Sequence, residues 1–68
     1  MPTHYEGISA ATDPEAGFRA AAGKAVDSFT TQQGVPDPDS PVLLRVVDMY
    51  VKVHNPIHDY IVVLGADN

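Results

Sequence analysis

The chain has no cysteine and no tryptophan, and only four of its 68 residues are lysine or arginine. Without cysteine there is no disulfide, no thiolate metal site and no cysteine nucleophile, a composition that suits a reducing compartment. Nine acidic residues against four basic ones give a formal net charge of -5. That is the wrong sign for a surface that neutralises nucleic-acid phosphates. No run approaches the roughly 20 apolar residues of a membrane span. Met1-Pro2-Thr3-His4-Tyr5-Glu6 has neither the basic start nor the apolar stretch of a secretory signal. A soluble, cytoplasmic protein is expected. There is also no G-x-G-x-x-G, no phosphate loop and no serine set in a nucleophile elbow.

At this length residues 1–68 make one small domain. Such a chain buries only roughly 60% of its unfolded surface, and the usual supplements are disulfides, a metal or oligomerisation.

His4 to Ala10 reads as a short first strand with Tyr5 and Ile8 on opposite faces, weakened by Gly7, Ser9 and Ala10. Thr12-Asp13-Pro14-Glu15 is a helix start: Thr12 with Glu15 fits a capping box, or Asp13 caps with Pro14 at the first helical position. Phe18, Ala22, Ala25 and Phe29, joined by Ala21 and Val26, form an apolar stripe of helical period. The helix should run from Pro14 to Gln32 or Gln33, with Gly34 as its stop. A stripe this rich in alanine lets the helix lie close to a sheet. Gly17 and Gly23 each weaken the helix by up to ~1 kcal/mol relative to alanine. Val35-Pro36-Asp37-Pro38-Asp39-Ser40-Pro41 neither continues a helix nor enters a central strand, and reads as a stiff acidic loop.

Val42–Val53 and Ile57–Leu64 are rich in β-branched and large apolar residues, and Asn55-Pro56 turns the chain between them. So short a connection makes the two strands antiparallel. The fold class is therefore α+β in the order β-α-β-β, a three-stranded antiparallel sheet packed around one helix. Both runs are apolar on both faces. Strict alternation puts Leu43, Val47, Met49, Val51 and Val53 on one side with Arg45, and Val42, Leu44, Val46 and Tyr50 on the other. In the last strand Tyr60, Val62 and Leu64 face one way, Ile61 and Val63 the other. One helix cannot cover two apolar faces, so another copy of the chain is expected to do so. The expected contacts are Val42, Leu44, Val46, Tyr50, Ile61 and Val63.

Two constellations bear on chemistry. His54 and His58, with Asp59 adjacent and Asp48 along the strand, are residue types that ligate zinc. His4 joins them only if the fold brings it there. A four-residue spacing aligns two imidazoles on a helix, but Pro56 breaks this segment into a turn, so solvated histidines are expected and no metal site. At the chain start, removal of Met1 exposes the amine of Pro2. An N-terminal proline in a short β-α-β chain resembles the tautomerase superfamily, in which that amine is the general base beside cationic groups. Arg19 and Arg45 are the only arginines available to it. The carboxylates Glu6, Asp13, Glu15, Asp27, Asp37, Asp39, Asp48, Asp59 and Asp67 have no spacing that forces acid and base roles. They are expected in caps, loops and solvent.

Taken whole, the chain resembles the dodecins. Tyr5-Glu6-Gly7-Ile8-Ser9 looks like their first strand, Thr12-Asp13-Pro14-Glu15-Ala16 and Ala20-Ala21-Ala22-Gly23-Lys24-Ala25-Val26 like their helix. Leu44-Arg45-Val46-Val47-Asp48 and Asp59-Tyr60-Ile61-Val62-Val63-Leu64 look like their second and third strands. The resemblance implies a sheet curled around one helix, assembled as a hollow homo-dodecamer that stores flavin. It also implies a flavin-stacking tryptophan near the start of the second strand and a flavin-binding glutamine in the third. Here those positions hold Leu43 or Leu44 and Ile61, so both the aromatic stack and the polar handle are missing. The architecture is expected to survive with the flavin site lost or rebuilt, and the cofactor is left open. Three functions follow as expectations: a non-enzymatic homo-oligomer that binds or stores a small molecule or ion, a tautomerase-like enzyme using Pro2, or an interaction module without ligand.

Overall fold

In a computed structural model, which describes residues 3–66, four elements follow in the predicted order. They are strand β1 (Thr3–Ala11), helix α1 (Pro14–Gln33), strand β2 (Leu44–Lys52) and strand β3 (His58–Ala66). The fold is α+β, with one helix and one antiparallel sheet of strand order β1-β3-β2. β2 is shorter than its apolar run. Val42, Leu43 and Val53 lie outside the ladder, next to the proline segments that end it on either side. β3 begins at His58 rather than Ile57 and continues past Leu64 through Gly65 to Ala66.

The helix starts as its sequence dictates. Asp13 is the N-cap, its Oδ2 accepting from the Ala16 amide at 3.3 Å, with Pro14 in the first turn. Gly34 closes it at φ 83° and ψ 169°, its amide donating to the Thr30 carbonyl at 2.9 Å.

What the helix buries differs from the stripe drawn on the sequence. The buried residues are Gly17, Ala21, Ala25 and Phe29, Phe18 and Ala22 are half-buried flanks, and Val26 stays 45% exposed. Close approach explains the rotation. Gly7 of β1 lies beneath the main chain of Ala21 and Ala25, where any Cβ on it would collide with the Ala21 carbonyl. Backbone therefore rests on backbone, and only the smallest helix side chains fit between. Around this line Tyr60, Val62 and Leu64 complete the central core, while Tyr5, Phe29 and Ala66 form a second cluster at the C-terminal end of the helix. Edge-to-face aromatic pairs close both ends: Phe18 with Tyr60 at 4.9 Å and Tyr5 with Phe29 at 5.1 Å between centroids.

The helix covers β1 and β3 but does not pack along β2. Only Leu44, at the start of β2, reaches the core from that strand. The chain is correspondingly extended, with a radius of gyration of 12.9 Å against about 11 Å for a compact chain of this length. Its 4759 Å² of accessible surface exceeds the compact-chain expectation by roughly 600 Å².

Candidate functional site

Directly opposed residues of an antiparallel pair share a face of the sheet. On the helix side, Leu44, Val46, Met49 and Val51 of β2 stand opposite Ala66, Leu64, Val62 and Tyr60 of β3. On the outer side, Arg45, Asp48, Tyr50 and Lys52 stand opposite Gly65, Val63, Ile61 and Asp59. β1 adds His4, Glu6, Ile8 and Ala10 to the outer rows. The two sets are brought together by a β-bulge between Val46 and Asp48. Val47 is the extra residue, and its side chain lies over Gly65, in the space a Cβ there would need.

The bulge corrects the strict alternation expected from the sequence. Val46 and Tyr50, placed together by counting, lie on opposite faces, and Met49 and Val51 join Leu44 and Val46 on the helix side. β2 thus presents apolar residues both ways: Val46, Met49 and Val51 toward the helix side, Val47 and Tyr50 outward, all exposed. Every residue of β2 after Leu44 is exposed, whereas β3 is buried or half-buried throughout. The two-faced composition of β3 is explained within the single chain by its central place; that of β2 is not. The helix-side strip of β2 carries no charge. The outer face is mixed, with acids at Glu6, Asp48 and Asp59 and bases at Arg45 and Lys52.

The expected contact residues fall into three places. Val42 lies ahead of β2 and lines an open pocket of about 290 Å³ with Tyr5, Phe29, Gln33, Gly34, Pro36 and Ala66. Leu44 and Val46 are on the helix side, half-buried and 60% exposed respectively. Tyr50, Ile61 and Val63 are on the outer side, where Ile61 is already buried between Ile8 and Tyr50. Of the positions implied for flavin contacts, Leu43 is exposed just ahead of β2, Leu44 half-buried and Ile61 buried.

The turn histidines are tied to each other and to one acid. The His54 amide donates to Nδ1 of His58 at 3.1 Å, and Nε2 of His54 lies 3.2 Å from Oδ2 of Asp59. Asp48 sits further down β2, and His4 is at the opposite end of the outer face, across from Gly65. Among the described residues no three His, Cys, Asp or Glu gather as a metal site. Pro2 lies outside the described residues, as does Asp67. Arg19 is held by Glu15 at 2.8 Å on the exposed start of the helix, and Arg45 is on the outer face of β2. Asp13 caps the helix, and Asp37 accepts from the amides of Asp39 and Ser40 in the loop.

Sequence reasoning missed the bulge and the two glycine seats at Gly7 and Gly17. The signal for the bulge was present: the apolar residues sit at even positions in Leu44 and Val46 and at odd ones in Met49 and Val51. A switch of phase inside one strand is what an inserted residue produces.

No helix among the described residues is long and apolar enough to cross a membrane. Comparison with protein-family models, with curated proteins and with solved structures returned no match to this chain.

Proposed function

We propose that this chain is a dodecin-like, non-enzymatic protein that works as a homo-oligomer and holds a small molecule at its subunit contacts. The observation that carries the proposal is β2, a nine-residue strand whose apolar residues point both ways and are exposed on both faces. Magnitudes favour assembly. The excess surface of roughly 600 Å² is close to the ~800 Å² that each partner contributes to a standard interface. Val46, Val47, Met49, Tyr50 and Val51 are each about half exposed. Taking half of the ~1.5–3 kcal/mol for full burial, together they offset the lower part of the ~4–15 kcal/mol entropic cost of association. The resemblance to dodecins supplies the closed multi-subunit form and the storage role. The aliphatic side chains at Leu43, Leu44 and Ile61 argue for a ligand other than a flavin held in the family's manner.

Native mass spectrometry of freshly purified protein tests this directly. The expected result is a defined multi-subunit mass with retained non-protein mass. A monomer at micromolar concentration would overturn the proposal, and an oligomer of bare polypeptide mass would remove its storage half.

A further inference from the structure

We infer that the outer face of the sheet packs on the same face of a second copy, around a two-fold axis running along the Ile8–Ile61–Tyr50 row. This contact pairs Lys52 of each copy with Asp48 of the other. The inference rests on the self-assembling reading above and specifies one of its interfaces.

The outer face is built in rows across the strands. Tyr50, Ile61 and Ile8 form an uncharged central row; Asp48, Val63 and Glu6 form the row on one side; Lys52, Asp59 and Ala10 form the row on the other. Tyr50 and Ile8 are exposed at the ends of the central row, and Ile61 fills its floor. Neither Lys52 nor Asp48 has an ion-pair partner among the described residues. They cannot reach each other within a strand, because four residues span about 13 Å. Asp59 faces Lys52 across the ladder but is engaged by His54 at 3.2 Å.

A contact between identical faces is self-complementary about a two-fold axis. With strands of the two sheets nearly aligned, that axis has two settings. Set along the strands, it lays β2 over β1 of the other copy. Asp48 then meets Glu6 twice, and Lys52 meets Ala10. Set across the strands, along the central row, it lays β2 over β2 and exchanges the flanking rows. Asp48 then meets Lys52 twice, Tyr50 stacks near Tyr50, and Ile61 lies over Ile61. Sheets packed face to face are about 10 Å apart, a gap that a lysine and an aspartate span together. The second setting turns two like-charge contacts into two opposite ones, and a second copy of this chain is the partner whose charges match.

Charge exchange tests it. Lys52→Glu and Asp48→Lys, each alone, place like charges in the contact twice, and its dissociation constant should rise by about 100-fold. An equimolar mixture should recover the contact, because each variant then meets its opposite. Native mass spectrometry should show species containing both variants in equal number. Variants that assemble like the parent, or a mixture no more assembled than its components, would overturn the inference while leaving self-assembly standing. A parent that is itself monomeric would sink the broader reading as well. Lys52→Gln gives a check without charge reversal: salt should weaken its contact less steeply than the parent's, and an equal slope counts against the pairing.

Discussion

Gly17 of the helix lies flat against the ring of Tyr60, so close that a Cβ on Gly17 would overlap the ring carbons. Tyr60 is only 1% exposed and belongs to the central strand, so the ring has nowhere to retreat. Gly17 is therefore a packing residue, unlike Gly23 six residues on, where an added methyl meets nothing within 4 Å.

Alanine at these two positions should act with opposite signs. Gly17→Ala gains up to ~1 kcal/mol in helix propensity but overpacks a full core, which costs about 1–3 kcal/mol. The net expectation is a loss of up to about 2 kcal/mol. Gly23→Ala keeps only the favourable part and should stabilise by about 0.5–1 kcal/mol. Urea unfolding at a fixed protomer concentration measures both, since an associating chain has concentration-dependent stability. Equal shifts for the two variants would show that Gly17 is not a seat for the ring.

The hydroxyl of Tyr60 is buried and bonds none of the described groups. Leaving a buried donor unpaired costs about 1–3 kcal/mol, so Tyr60→Phe should raise the unfolding midpoint or leave it unchanged. The ring contact with Phe18 survives the change. A clear loss of stability in the variant would mean that the hydroxyl has a partner in solution.

Most of the fold was legible because its signals are local. Asp13-Pro14 and Gly34 mark the helix ends within a residue, and the short Asn55-Pro56 connection dictates antiparallel pairing of β2 with β3. What was hidden depends on neighbours far along the chain. Gly7 and Gly17 look like weak points of a strand and a helix until the backbone or ring pressed against each is known. The order β1-β3-β2 decides that Ile61 is enclosed while Tyr50 is not, and nothing within either strand encodes that order. The candidate surface was half legible: the excess of apolar residues in β2 was plain, but alternation failed to assign their faces because Val47 interrupts it.

Gly34 ends the helix at φ 83° and ψ 169°, a backbone region open essentially to glycine alone. Space is not the constraint, since a Cβ there meets nothing within 4 Å. Gly34→Ala should therefore destabilise by about 1–3 kcal/mol through backbone strain. Gly34→Asn should cost no less, because its tolerance of positive φ is confined to the left-handed helical region. A thermal melt of the two variants beside the parent decides it, and an unchanged midpoint for alanine would mean that the helix end has relaxed to a different conformation.

Val46→Lys separates the two faces of β2. Val46 is 60% exposed on the helix side, so a lysine there leaves the protomer's own core intact and circular dichroism should be unchanged. In an assembly the same lysine places an unpaired charge in an apolar contact, which is strongly destabilising. Because the bulge at Val47 sends Val46 and Tyr50 to opposite sides, the outer-face contact is untouched by this change. Sedimentation of Val46→Lys should accordingly reveal a dimer rather than a monomer, and adding Lys52→Glu should reduce it to single chains. A Val46→Lys protein that sediments like the parent would show that the helix-side strip is not a contact. A monomer from Val46→Lys alone would mean that the outer face cannot hold two copies together by itself.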